Sequence, residues 1–116
     1  MNNTELSTKQ SPIFSKTYDL LLWLLNHTEK FPKSERFRMA RRLEDTLFYF
    51  YELLMQAARS AEKMELLDQA DLELEKLRFY LRMSHDRGLT SLHQVRFASS
   101  SLDEIGRLIG GWKKSL

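Results

Sequence analysis

Apolar residues recur at steps of three and four positions along four stretches of the chain, the spacing that lines one face of an α-helix. These stretches predict helices over about 14–29, 33–61, 64–87 and 91–114. The residues predicted to face the core are Phe14, Tyr18, Leu21 and Leu25; Ala40, Leu43, Leu47, Phe50, Leu54, Ala57 and Ala61; Leu67, Ala70, Leu74, Leu77 and Leu81; and Val95, Ala98, Leu102, Ile105, Ile109 and Trp112. Four amphipathic helices of this kind need one another to cover their apolar faces.

The predicted helices are separated by residues that end or begin helices. Pro32 disfavours helical geometry in the residue before it and so ends the first helix. Gly88 follows the third helix, where a left-handed cap is favoured. Ser91 and Gln94 have the spacing of a capping box at the start of the fourth. The break within 60–64 contains neither glycine nor proline, so the exact turn between helices two and three stays open.

The connections between the predicted helices are short, which forces neighbouring helices to run antiparallel. The predicted fold is therefore all-α, an antiparallel up-down-up-down four-helix bundle over residues 13–116. Residues 1–12 are polar and predict a flexible tail. The chain has no cysteine, which excludes disulfides and thiolate metal sites, and no apolar run reaches ~18 residues, so no membrane span is expected. These features favour a cytoplasmic protein.

Charge is segregated along the chain, although the net charge is only +2. Residues 29–42 carry six basic and two acidic side chains, whereas residues 43–77 carry three basic and nine acidic ones. Residues 78–116 are basic again, with seven cations and three acids. Antiparallel packing brings the two basic segments to one end of the bundle and leaves the acids at the other.

We call the predicted basic end the arginine end. Its cations are Lys30, Lys33, Arg36, Arg38, Arg41, Arg42, Arg78, Arg82, Arg87 and Arg96, and its acids are Glu29, Glu35 and Asp86. Guanidinium groups match phosphate geometry and stay charged at any relevant pH, so the eight arginines of this set are the predicted nucleic-acid-binding residues. Such binding is to the backbone and gives no sequence readout.

Two readings of these arginines remain open. Arg78 and Arg82 lie one helical turn apart, and the aromatic residues between them, Phe79 and Tyr80, are suited to stacking on unpaired bases. Alternatively, each arginine is a surface residue with a local ion pair. The local pairs that the spacing allows are Glu75 with Arg78, Asp86 with Arg82, and Asp45 with Arg41 or Arg42.

A second set of apolar residues falls outside the core stripes. Phe48 and Met55 are seven positions apart on an outward line of helix two, and Leu72 and Phe79 are seven apart on helix three, with Met83 beside them. Contiguous exposed apolar rows mark interfaces, so we predict self-association through these residues. In helix four, Gly106 and Gly110 have the G-x-x-x-G spacing of close helix contact, either inside the bundle or between subunits.

The residue patterns of common enzymes and metal sites are missing. No Glu-x-x-His pair of the di-iron bundles is present, and there is no glycine-rich phosphate loop. The serines at 99–101 lie in a helix without a plausible adjacent base. We therefore expect no catalytic residues, no metal and no cofactor.

A series of short motifs nevertheless resembles a known family. It runs through Ile13-Phe14, Tyr18-Asp19-Leu20, Phe31-Pro32-Lys33, Ala70-Asp71, Leu77-Arg78-Phe79-Tyr80-Leu81-Arg82, His93-Gln94-Val95 and Gly106-Arg107-Leu108-Ile109-Gly110-Gly111-Trp112. Together these resemble the accessory variability determinant (Avd) proteins of diversity-generating retroelements. That group belongs to a wider four-helix-bundle family, which includes proteins encoded in intervening sequences of 23S ribosomal RNA genes.

The resemblance implies a homopentameric barrel of four-helix bundles with a positively charged surface. It implies two partners, nucleic acid (template-repeat RNA or its cDNA hybrid) and the retroelement's reverse transcriptase, which performs the mutagenic, adenine-directed copying. Arg78 and Arg82 stand at matching arginine positions of helix three, and Arg107 at that of helix four. The alternative is a structural, self-assembling protein of the intervening-sequence type whose partner is unknown.

Overall fold

The computed structural model describes residues 3–116 of the chain, and the side chains of residues 12–116. It contains four α-helices, which are α1 (Asn3–Thr28), α2 (Met39–Arg59), α3 (Lys63–Asp86) and α4 (Leu92–Lys114), and a short 3₁₀ helix, Lys33–Glu35, before α2. This part of the chain is all-helical, as predicted. Helix α1 begins at Asn3 and so includes residues 3–12, which the sequence assigned to a polar tail, and the flexibility predicted for that tail stays a prediction.

Contacts between the helices establish the up-down-up-down order. The middle of α1 meets the second half of α2, where the rings of Phe14 and Tyr51 are 5.7 Å apart. The end of α1 meets the first half of α2, where Thr28 donates to Glu44 across 2.5 Å. Helices α3 and α4 run antiparallel in the same way. The predicted bundle architecture is therefore confirmed for one chain.

The predicted core of α2, α3 and α4 is confirmed almost throughout. All five predicted positions of α3 are buried, as are the inner residues of α2 from Ala40 to Ala57. The four central apolar residues of α4 are buried, and Val95 and Trp112 at its ends are half-buried. The prediction that Ala61 faces the core is wrong, because α2 ends at Arg59 and Ala61 lies exposed in the turn.

The predicted stripe of α1 is partly wrong. Tyr18 is 52% exposed and Leu25 is 37% exposed, while the buried line runs through Ile13, Leu20 and Leu24 and includes the polar Thr17. The hydroxyl of Thr17 donates to the carbonyl of Ile13 across 2.7 Å, so it needs no water. A buried polar residue interrupts the apolar period, and this is why the sequence pattern favoured the neighbouring stripe.

The predicted helix ends at Gly88 and Ser91 are confirmed. Gly88 has a φ of 79°, and Ser91 and Gln94 form both hydrogen bonds of a capping box, at 3.1 and 2.8 Å. The turn between α2 and α3, whose position the sequence left undetermined, lies at residues 60–62. There Lys63 acts as a cap for α2, since its ammonium donates to the carbonyls of Ala57 and Ala58 at 2.8 and 3.3 Å.

Helix two was predicted to begin near residue 33, but α2 begins at Met39. The segment before it forms the 3₁₀ helix and places the side chain of Glu35 in the end of the bundle. None of the helices in the described part of the chain is long and apolar enough to cross a membrane.

Candidate nucleic-acid interface

A buried carboxylate joins two connections at the arginine end. Glu35 is 2% exposed, and its two oxygens accept hydrogen bonds from the guanidinium of Arg87 at 2.6 and 3.2 Å. Arg38, at the start of α2, lies 3.9 Å from the same carboxylate. Glu35 therefore ties the α1–α2 connection to the α3–α4 connection, and it partly neutralises two arginines of the predicted phosphate-binding set.

Two further arginines of the set form exposed ion pairs. Arg78 pairs across the bundle with Asp103 of α4 at 2.8 Å, not with Glu75 as its sequence neighbourhood suggested. Arg41 pairs with Asp45 at 3.5 Å, one of the local pairs that the spacing allowed. Exposed pairs of this kind contribute only about 0–1 kcal/mol, so a phosphate group competes readily for such arginines.

Four arginines of the set, Arg36, Arg42, Arg82 and Arg96, are exposed without an acidic partner among residues 12–116, and Arg42 lies over the ring of Tyr80. Arg82 lies one turn before the end of α3 and Arg96 one turn after the start of α4, so the antiparallel register puts them at the same level of the bundle. Their charge is available to an external anion.

Aromatic rings accompany the cations at this end. The guanidinium of Arg42 lies 6.0 Å from the ring of Tyr80, and that of Arg41 lies 5.8 Å from the ring of Phe37. Phe37 is 73% exposed and stands between Arg36 and Arg38, but it belongs to neither of the apolar rows predicted from the sequence. Exposed rings beside arginines provide stacking surfaces for unpaired bases.

The predicted arginines lie at different distances from the end of the bundle. Arg36, Arg38 and Arg87 lie in or beside the two connections, whereas Arg41, Arg42, Arg82 and Arg96 lie in the adjoining helical turns. Arg78 lies one turn further down α3 than Arg82, and Arg107, implied by the resemblance, lies in the half of α4 nearer the opposite end. At that opposite end Lys113 binds both Asp68 and Asp71, whose hydrogen bonds raise the pKa of Lys113.

The predicted interface residues face solvent in the single chain. Phe48, Met55, Leu72, Phe79 and Met83 are between 38% and 57% exposed. A Cβ added at Gly106 or Gly110 meets no atom within 4 Å, so close contact inside the bundle does not explain this glycine pair. Of the two explanations offered for the pair, only contact between subunits remains a prediction.

A chain of hydrogen bonds crosses the bundle beneath the arginine end. The imidazole Nε2 of the buried His27 lies 2.8 Å from the hydroxyl of Thr90, which lies 2.8 Å from the hydroxyl of Ser84. The ring of His27 stacks on Trp23 at 4.9 Å and meets Phe31 edge-on at 5.1 Å. These contacts hold α1, α3 and the turn before α4 together beneath the cations.

Acidification is expected to destabilise the fold through His27. Burial, together with the charge of Lys30, lowers the pKa of His27 below its ordinary value of 6.5. The unfolded chain therefore takes up a proton at a higher pH than the folded chain. The contribution of the neutral His27 to the free energy of unfolding is complete above pH 6.5. It is lost as the pH falls toward the folded-state pKa, with a slope of at most about 1.4 kcal/mol per pH unit, which urea denaturation at a series of pH values measures.

A matched pair of variants isolates this effect. His27→Gln removes the titrating group, and the free energy of unfolding should then vary less with pH over the same range. His93→Gln changes an exposed histidine and should keep the wild-type slope. An undiminished slope in His27→Gln would contradict the assignment.

Comparison with known proteins assigns the chain to a family. The family model described as bAvd-like matches residues 12–116, which include all four helical segments of the bundle. No curated protein matches the chain. Within the described residues there is no cluster of histidine and acidic side chains able to hold a metal ion.

Proposed function

The chain belongs to the bAvd-like family, and we propose that it is a non-enzymatic accessory protein of a diversity-generating retroelement. In this proposal its arginine end holds the template RNA or its cDNA hybrid through phosphate contacts, and a second surface docks the reverse transcriptase. The reverse transcriptase performs the copying, and this chain positions the nucleic acid for it.

One observation carries the nucleic-acid part of the proposal. Arg36, Arg82 and Arg96 are exposed at one end of the bundle with no carboxylate of residues 12–116 in ion-pair range. Holding like charges together is unfavourable unless an anion neutralises them, and a polyphosphate backbone supplies several anions at regular spacing. The arginines that pair with exposed acids add to this surface once phosphate displaces those acids.

Salt titration of RNA binding tests the phosphate contacts. If about five phosphates of a single strand are engaged, the logarithm of the binding constant should fall against the logarithm of salt concentration with a slope of about −3.5. Strands of different sequence should share that slope, since backbone contacts carry no sequence information. A binding constant that does not change with salt would contradict the proposed mechanism.

The exposed apolar rows support self-association as a further part of the proposal. Phe48 and Met55 on α2, and Leu72 and Phe79 on α3, are large apolar side chains that a monomer leaves in water. A ring of copies, pentameric by family resemblance, would cover them and repeat the arginine end around one rim. The alternative, a structural protein of the intervening-sequence type, predicts the same assembly without the enzyme. Co-purification of a reverse transcriptase and its RNA with the tagged chain distinguishes the two.

A further inference from the structure

A pocket opens between the two connections at the arginine end. It has a volume of about 210 Å³ and lies between the segment that follows α1 and the turn that precedes α4. Its lining residues are His27, Lys30, Phe31, Pro32, Gly88, Leu89 and Gln94. The pocket therefore combines an aromatic ring, a buried imidazole, an ammonium group and an amide at the end of the bundle where the cations gather.

The hydrogen bonds beneath the pocket fix which nitrogen of His27 carries the proton. Ser84 donates its hydroxyl hydrogen to the carbonyl of Leu81 at 2.8 Å, so in its bond with Thr90 it must accept. Thr90 then uses its own hydrogen on Ser84 and must accept from His27. The proton of the neutral imidazole is thus on Nε2, and Nδ1 carries a lone pair.

That lone pair has no partner in the protein. Within residues 12–116 the only hydrogen bond of the His27 side chain is the one from Nε2 to Thr90. No side-chain nitrogen or oxygen that is fully enclosed lacks a partner in this part of the chain, so Nδ1 is not sealed inside the core. His27 lines the pocket while its residue as a whole is 93% buried, as its 7% exposure shows. His27 therefore contributes to the pocket lining an imidazole whose second nitrogen has no hydrogen-bond partner within residues 12–116.

Two donors accompany this acceptor. Lys30 forms no ion pair with any carboxylate of residues 12–116, so its ammonium group is available. Gln94 uses its side-chain oxygen to accept from the backbone N–H of Ser91 at 2.8 Å, which leaves its amide NH₂ group as a donor. Phe31 adds a half-buried ring beside them.

We propose that this pocket holds one unpaired nucleobase of the bound strand. Each natural base has both donors and acceptors along its edges, which match the imidazole lone pair on one side and the Lys30 and Gln94 donors on the other. The ring of Phe31 supplies a surface for stacking. The proposal rests on the nucleic-acid binding proposed above, and it adds a contact to a base where the arginines contact only phosphates.

The pocket is tested with two single strands of equal length, one with bases and one an abasic ribose-phosphate chain. Both strands offer the same phosphates, so a difference in affinity reports contacts to bases. Fluorescence anisotropy gives the affinity of the chain for each. One stacked and hydrogen-bonded base should make the wild-type chain bind the base-bearing strand about tenfold more tightly than the abasic one. Equal affinities would overturn the base pocket and leave phosphate binding intact. Failure to bind either strand would overturn the proposed function as well.

A substitution at Gln94 tests whether the preference for the base-bearing strand arises in this pocket. Gln94→Glu keeps the capping box, because glutamate at this position also reaches back to the serine N–H, but it replaces the donor NH₂ with a carboxylate oxygen. We expect the tenfold preference for the base-bearing strand to fall to about threefold or less. Gln69→Glu, an exposed residue in the first half of α3, changes the net charge equally and should leave the preference unchanged. An unaltered preference in Gln94→Glu would overturn the proposal.

Photocrosslinking provides a second measurement that does not depend on a variant. A strand carrying 5-iodouridine should crosslink to the peptide that contains His27 and Phe31. Crosslinks confined to peptides of the opposite end of the bundle would overturn the assignment.

Discussion

Replacing Arg36, Arg82 and Arg96 together with alanine is expected to weaken binding of single-stranded RNA by about 100-fold. Each guanidinium supplies a charge-assisted hydrogen bond to phosphate, and losing one such bond typically costs about fivefold to tenfold or more in affinity. The slope of the binding constant against salt should also become shallower by about 2, since three fewer phosphates are neutralised and each releases about 0.7 counterion. Anisotropy titrations at several salt concentrations measure both quantities.

The stability of this triple variant should be close to that of the wild type, because no carboxylate of residues 12–116 pairs with these arginines. The matched control replaces Arg59, Arg107 and Lys114, three exposed cations in the part of the bundle toward the opposite end. It removes the same net charge and should cost less than about tenfold in affinity. If both triples weaken binding equally, net charge and not the arginine end controls the interaction.

Replacing Glu35 with alanine is expected to lower the free energy of unfolding by about 2–3 kcal/mol. Breaking a buried ion pair typically costs about 3–5 kcal/mol, and the partial exposure of Arg87 reduces that figure. The substitution also removes the only carboxylate in the described chain that joins the two connections of the arginine end. Urea denaturation followed by circular dichroism measures the loss.

The same Glu35 substitution should affect RNA binding in the opposite direction. Arg38 and Arg87 lose the carboxylate that partly neutralises them, so at a temperature where the variant is folded its affinity for RNA should rise about threefold to tenfold. Asp45→Ala, which frees Arg41 from an exposed pair, should change the free energy of unfolding by less than about 1 kcal/mol. A Glu35 variant as stable as the wild type would show that this carboxylate is not a structural link.

Much of the fold is predictable from local sequence because helical period and capping are local properties. The inner faces of α3 and α4 follow directly from their apolar spacing, and the Ser91–Gln94 capping box depends on two residues three positions apart. Tyr18 and Leu25 of α1 were wrongly predicted to be buried because Thr17 satisfies its hydroxyl within the helix and is buried like an apolar residue. Periodicity alone does not distinguish such a threonine from an exposed one.

The electrostatics of the arginine end depended on contacts that no local pattern contains. Arg78 has Glu75 three positions away and yet pairs with Asp103 on the next helix. Glu35 was counted among a few acids opposing many cations, but it binds Arg87, which lies 52 positions later in the chain. Formal charge counts treat all these side chains as free. The structure divides them into arginines that hold the end of the bundle together and arginines that remain available.

The three-residue turn between α2 and α3 also bears on the order of folding. Closing so short a loop costs little chain entropy, so α2 and α3 form the hairpin that nucleates most readily. The contact between His27 and Thr90 joins residues 63 positions apart and must come later. That hairpin carries Arg41, Arg42, Arg78 and Arg82, whereas Arg36, Arg38, Arg87 and Arg96 lie outside it. A nascent chain therefore completes its cationic surface only when the outer helices dock, and incompletely folded molecules present only part of that surface to nucleic acid.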